Sequence, residues 1–289
     1  MLSPKASRLF GGTSYDGFCT FRYRAGFGNP DDSGNLYFSD VPNGGVFLRS
    51  ADGEITTVVP RRKTVGGIAF HADGGIVISG RDICHVNNGE SRILFTRPEG
   101  VGGFNDLFAD ADGRVYTGSL RSDPFGDGER IAGEGYVVDA PGIGRELYGD
   151  IGLSNGIGLS PAGDRLYHVD SARRQIVVHE IAAGVVANRA VFATLDRGET
   201  PDGLAVDEEG GVWVAVVGPG RVQRFDPNGE VDTAIDVPAG FVTSLCFGGP
   251  GRADMFIVTS DNAEHPERKG TVFRTRPGVC GTPVHPVRI

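Results

Sequence analysis

The sequence predicts an all-β chain folded as a six-bladed β-propeller, with four-stranded blades around a central channel. Three observations predict it. One phrase, a glycine-rich turn followed by a run of Val, Ile, Leu, Tyr and Trp, recurs six times, with first strand residues at Leu36, Ile76, Val115, Leu166, Val212 and Met255. The resulting spacings of 40, 39, 51, 46 and 43 residues are of propeller-blade size. The 289 residues include 46 Gly and 17 Pro, and no window carries the period of a long amphipathic helix, so short strands joined by tight turns must supply the core.

Taken in order, the phrases are "SGNLYFSD" from Ser33, "DGGIVISG" from Asp73, "DGRVYTGS" from Asp112, "AGDRLYHV" from Ala162, "EGGVWVAV" from Glu209 and "RADMFIVTS" from Arg252. Each reads as a tight hairpin. Two weaker strand signals follow each, such as "RVQRFDP" then "EVDTAIDV", which makes four strands per unit. The third interval holds "LRSDPFGDGERIAGEG", residues 120–135, too long for a hairpin turn and therefore a loop over one face, placed to act as a lid. The sixth unit ends one strand short at "TVFRTRPG", so the N-terminal "SRLF" is expected to complete it. Residues 1–289 are thus expected to form a single domain.

Composition limits the function. With 28 Lys and Arg against 37 Asp and Glu the net charge is −9, which opposes a phosphate backbone and argues against nucleic acid. Cys19, Cys84, Cys246 and Cys280 show no C-x-x-C spacing, so they read as reduced thiols of a cytoplasmic protein. The opening "MLSPKASRLFGG" lacks the apolar stretch of a leader and no long apolar run follows, so neither export nor a membrane partner is expected.

Just before each phrase lies the strand expected to line the channel, headed by "AGFGN" from Ala25, "GGIAF" from Gly66, "NDLFA" from Asn105, "NGIGL" from Asn155, "DGLAV" from Asp202 and "TSLCF" from Thr243. One Asn-Gly or Asp-Gly pair is ordinary turn chemistry. Three such heads in register across consecutive blades are not required by turns. They would bring two amides and a carboxylate to one channel mouth, oxygen ligands suited to a hard divalent cation. "GLSNG", Gly152–Gly156, matches a G-x-S-x-G nucleophile pattern, but strand and turn follow instead of a helix, so Ser154 reads as incidental. His168 and His179 fall within strand patterns and read as packed side chains, and the acidic turns "DDSG" and "DPNG" as hairpin tips.

"FNDLFADADGRVYTGS", "SNGIGLSPAGDRLYHVDS", "TPDGLAVDEEGGVWVA" and "VTSLCFGGPGRADMFIVTSDN" together resemble the gluconolactonase, regucalcin and luciferin-regenerating enzyme family, over about residues 25–280. The resemblance implies a six-bladed propeller with one divalent metal at the channel mouth (calcium first, with zinc or magnesium as alternatives) and lactone hydrolysis. It implies Asn155 and Asp202 as metal ligands, Asn105 as a further ligand or a substrate contact, and Asp123 as a substrate contact. Two departures stand against the pattern. Ala25 occupies the place of the family's first-blade glutamate, and no Glu occurs before Ser50; Gly103 occupies the place of an arginine two residues before Asn105. Asp16 or Asp31 would have to take over the first role by a different backbone path, or Arg22 or Arg24 would pair with Asp202 where the cation should lie.

The first expectation is therefore a metal-assisted hydrolase of a lactone or similar small ester, with Asp202 as ligand and base. The alternative is a metal-independent enzyme on the same scaffold, a cyclase, isomerase or dehydratase. Nothing in the sequence favours a large protein-binding face over a small-molecule substrate.

Overall fold

A computed structural model describes residues 34–41, 43–182, 184–264 and 270–289, with the backbone of two further strands. Among the described residues, 24 strands form six four-stranded antiparallel sheets, one per predicted blade. Strand β1 (Ser7–Phe10) belongs to the last of them. The first blade is β2 (Phe21–Arg24), β3 (Asn35–Ser39), β4 (Gly45–Arg49) and β5 (Ile55–Pro60); the second is β6 (Ile68–Phe70), β7 (Ile76–Ile78), β8 (Ile83–Asn87) and β9 (Glu90–Phe95). The third is β10 (Gly103–Ala109), β11 (Val115–Leu120), β12 (Gly133–Ala140) and β13 (Ile143–Ile151); the fourth is β14 (Ser154–Leu159), β15 (Arg165–Asp170), β16 (Gln175–Ala182) and β17 (Val185–Thr194). The fifth is β18 (Thr200–Val206), β19 (Val212–Val217), β20 (Arg221–Phe225) and β21 (Val231–Asp236). The sixth is β22 (Val242–Gly248), β23 (Asp254–Thr259) and β24 (Thr271–Thr275), completed by β1 in the order β1-β24-β23-β22. The "SRLF" strand thus closes the ring, with Ser7 opposite Arg274 and Phe10 opposite Val272.

The inner strands β2, β6, β10, β14, β18 and β22 touch their neighbours all the way round and line the channel. One expected head moves. The first inner strand is "FRYR" itself, ending at Arg24, so its head lies at the Phe21 end and not at Ala25. The apolar-polar alternation of "FRYR" is the strand signal, whereas "AGFGN" shares only small residues with the other heads. Ala25, Asp16 and Asp31 lie outside the described residues. Arg22 and Arg24 face Tyr37 and Asn35 of β3 in the backbone pairing.

Acidic turns hold the hairpins. Asp110 Oδ1 accepts the N–H groups of Asp112 (3.1 Å) and Arg114 (2.9 Å), and Asp207 Oδ1 accepts those of Glu209 (3.0 Å) and Gly211 (2.8 Å). Asp226 in "DPNG" does the same for Asn228 and Glu230, so that turn is a hairpin tip as read from the sequence.

The core lies between blades. Trp213 of β19, with 1% of its surface exposed, packs with Val242, Leu245, Met255 and Ile257 of the sixth blade, while its Nε1–H donates to buried Asp207 at 2.8 Å. Each fully buried Val, Leu or Ile contributes roughly 1.5–3 kcal/mol, so these interblade seams dominate stability. At one end of the channel, residues 280–289 run across the C-terminal ends of the inner strands. There Val287 is fully buried and exchanges backbone hydrogen bonds with Phe70 and Ala72, and Thr282 N–H donates to the Val206 carbonyl. Cys84, Cys246 and Cys280 are free thiols, and no helix among the described residues is long and apolar enough to cross a membrane.

Candidate active site at the channel mouth

The N-terminal ends of β10, β14, β18 and β22 surround a cavity of about 630 Å³. Asn105, Asp123, Asn155 and Asp202, all four residues singled out from the sequence, line it. Asn105, Asn155 and Asp202 are half-buried, each the second or third residue of its strand, where the in-register alignment of the repeats puts them at one level. Asp123 instead stands exposed on the loop between β11 and β12, its Oδ1 accepting the Phe125 N–H at 2.9 Å.

A chain of amides and hydroxyls ties three blades together. Asn105 Nδ2 donates to the Ser154 carbonyl (2.7 Å) and to Asn155 Oδ1 (2.5 Å). Asn155 Nδ2 donates to Ser171 Oγ (2.7 Å), which donates to the Pro201 carbonyl (2.6 Å) next to Asp202. The Ser154 carbonyl accepts only, so it fixes which end of the Asn105 amide faces it. The other end, Oδ1, is packed on Gly66, where a Cβ would lie 2.0 Å from it. Gly66 therefore has to be glycine for Asn105 to hold Asn155.

The Asp202 carboxylate makes no hydrogen bond or ion pair among the described residues. Burial in the channel wall, reinforced by the nearby Asp106 carboxylate, raises its pKa from 3.8 to about 8. Asp106 is buried, lines the same cavity and accepts the Leu107 N–H at 2.8 Å. It is the site residue that reading the sequence missed. The "ND" pair signalled it, but only the asparagine was aligned with the other heads.

Two carboxylates and the Asn155 amide oxygen, facing one cavity, are a hard-oxygen donor set. The Asp202 carboxylate, with no partner among the described residues and its charge strongly disfavoured, is one whose charge a bound cation would compensate. These residues fit a divalent metal of the calcium or magnesium type. No group of three or more His, Cys, Asp or Glu residues gathers here among the described residues, so amide, backbone or water oxygens would have to complete a shell.

Ser154 proves to have a partner. Its Oγ lies 2.8 Å from His168 Nε2, and His168 Nδ1 lies 2.9 Å from Tyr148 Oη, whose ring stacks on His179 at 3.8 Å. Ser154 and His168 are both fully buried and neither lines the cavity. Burial, with a smaller push from His179, holds the His168 pKa down at about 3, so the imidazole is neutral. The pair is a buried brace beneath Asn155 and not a nucleophile and base.

Comparison with known proteins fits this fold. Residues 29–261 match the family described as the SMP-30/Gluconolactonase/LRE-like region. The chain is 28% identical to the 6-deoxy-6-sulfogluconolactonase of Pseudomonas putida over 262 residues, covering 85% of this chain and 88% of that protein. It is 27% identical to the pentonolactonase of Haloferax volcanii over 240 residues, covering 80% and 79%. The solved regucalcin of Agrobacterium tumefaciens, described as a calcium-binding protein, superposes with a TM-score of 0.79 at 21% identity, covering 100% of this chain and 98% of that one. With the match spanning most of its length and all six blades in place, the chain belongs to the SMP-30/Gluconolactonase/LRE-like family.

Proposed function

We propose that the protein hydrolyses a lactone in the channel cavity, with a divalent metal held at Asp202 and Asn155. The observation that carries the reading is the Asp202 carboxylate, unpartnered among the described residues, beside Asp106 in an oxygen-lined cavity. Relatives named pentonolactonase and sulfogluconolactonase supply the substrate class, and the regucalcin described as calcium-binding makes calcium the first metal to try.

A bound divalent cation would polarise the ring carbonyl and stabilise the oxyanion. The chain's own residues supply the rest. Asp202, ionised when a cation is held there, takes the proton of the attacking water and returns it to the departing ring oxygen, so a lactone and water become a hydroxy acid. Asn105 holds Asn155 in place through its Nδ2, and Asp123 accepts a substrate hydroxyl at the rim. Asp106 adds the second negative charge that the missing first-blade glutamate would have brought.

The test is metal content and calorimetric affinity for calcium, zinc and magnesium, followed by a lactone panel, with Asp202→Ala as control. Stoichiometric binding lost in the variant, together with metal-dependent turnover, supports the reading. Turnover that survives exhaustive chelation would transfer the chemistry to Asp202 acting without a metal, a reading the same raised pKa favours. Absence of turnover with every lactone would refute the hydrolase.

A further inference from the structure

On the cavity wall opposite in charge to Asp106 and Asp202 stands one guanidinium that the reading above does not use. Arg121 follows Leu120 at the end of β11, where Leu120 pairs with Gly103 of β10. Its Nε donates to Glu134 Oε1 at 2.5 Å. Glu134 is only 8% exposed, and its Oε2 accepts the Ser119 hydroxyl at 2.6 Å, while Ser119 Oγ in turn accepts the Glu134 N–H at 2.8 Å. Both carboxylate oxygens are thus committed to holding Arg121 in one pose. Among the described residues Nη1 and Nη2 make no hydrogen bond, and the side chain, 27% exposed, lines the cavity.

The neighbouring wall is kept bare. A Cβ at Gly103 would lie 2.8 Å from the Gly80 carbonyl oxygen, because Gly80 and Phe104 exchange backbone hydrogen bonds of 2.7 and 3.2 Å. A side chain at that position would press on the Gly80 carbonyl, and among the described residues Arg121 is the cation that lines the cavity.

A planar fork that lines the cavity, with Nε fixed by a buried carboxylate and with Nη1 and Nη2 making no hydrogen bond among the described residues, matches a carboxylate ligand bidentately. Asp202 and Asp106 mark the reacting end of the cavity in the function proposed above, so a ligand whose ring carbonyl lies there would present its far end to the Arg121 wall. We infer that Arg121, positioned by Glu134, is a specificity-determining residue that selects lactones bearing a carboxylate at the end remote from the ring carbonyl. The inference takes the lactone from the function proposed above.

The test pairs the γ-lactones of gluconic and glucaric acid, which differ only in a hydroxymethyl against a carboxylate at the far end. In the wild-type protein kcat/KM should favour the glucaric lactone. In Arg121→Gln the ratio of the two kcat/KM values should fall by about ten- to a hundredfold, mostly through KM for the acidic lactone, and Arg121→Lys should recover part of it. A ratio within about twofold of wild type in Arg121→Gln overturns the inference while leaving lactone hydrolysis intact. Because the Gln variant strands Glu134, Arg121→Gln/Glu134→Gln is measured beside it and should show the same loss of ratio. Calorimetry with glucarate as probe separates the two readings. If neither lactone is turned over, the hydrolase fails, yet a glucarate Kd at least tenfold weaker in Arg121→Gln than in wild type still supports the anion site. An equal Kd, or no glucarate binding by wild type, overturns it.

Discussion

Asp202 sets the pH behaviour of the ligand-free protein, and the sign follows from its raised pKa. The folded state keeps a proton that the unfolded chain releases near 3.8, so stability is lost as pH rises toward about 8. His168 and His179, held down at about 3 and about 4, act in the opposite sense and only below 6.5, where the unfolded chain takes up protons that the folded one refuses. In chelator, the melting temperature should therefore fall between pH 6.5 and 8 in the wild type and lose that slope in Asp202→Asn. With calcium present the order reverses. The cation needs the carboxylate charged, so apparent affinity measured by calorimetry should rise by up to about tenfold per pH unit below 8. The same Asp202→Asn variant should lose at least about a hundredfold in lactone turnover while folding normally. Ser154→Ala answers a different question. It leaves His168 Nε2 buried without its hydroxyl partner and should cost about 1–3 kcal/mol in denaturant unfolding, yet retain turnover, because the serine never meets the cavity. Loss of turnover with unchanged stability would restore it as a nucleophile.

At the level of elements, the blades were legible in the sequence because each repeats one hairpin with its own turn chemistry, and Asp110, Asp207 and Asp226 show that chemistry as hydrogen bonds. The missing strand of the sixth blade was legible by counting, and "SRLF" fills it. Asn105, Asn155 and Asp202 could be found because strand register repeats from blade to blade. Arg121 and Glu134 could not, and Asp106 was signalled only as the second residue of "ND". Their partners belong to other strands or blades, and no local spacing records that Glu134 reaches back to Arg121 or that Asp106 acts on Asp202. The Ser154–His168 pair was hidden although β14 and β15 form a local hairpin, because the register shifts between Ser154 and Ile157 and the backbone pairing sets Ser154 opposite Asp170. Gly66 shows how an element without a functional side chain still shapes the site. Gly66→Ala forces a Cβ against Asn105 Oδ1, so Asn105 must turn and release Asn155. Steady-state kinetics should show kcat/KM down by about ten- to a hundredfold. Wild-type kinetics in this variant would mean that the Asn105–Asn155 link is dispensable.

The molecule as a whole is a ring closed twice. Pairing β1 with β24 closes it through the sheet, and the C-terminal residues close it across the channel end remote from the cavity. That second closure ties separate blades to one segment. Val287 is fully buried among Ala69, Val77 and Val115, its N–H donates to the Phe70 carbonyl, and Arg288 N–H donates to the Gly113 carbonyl. Nearby, His71 Nε2 lies 3.0 Å from the Ile289 carbonyl oxygen. Deleting residues 286–289 would empty the Val287 pocket and unpair backbone groups on two blades. A buried aliphatic side chain and a few hydrogen bonds are together worth about 3–5 kcal/mol. For a domain of this size that corresponds to a melting temperature lower by roughly 5–15 °C. The cavity residues sit at the opposite ends of the same inner strands, so lactone kinetics at 25 °C should stay within about twofold of wild type. A fall in kcat without a fall in melting temperature would instead mean that the tail sets the register of the inner strands, and with it the level at which Asn105, Asn155 and Asp202 meet.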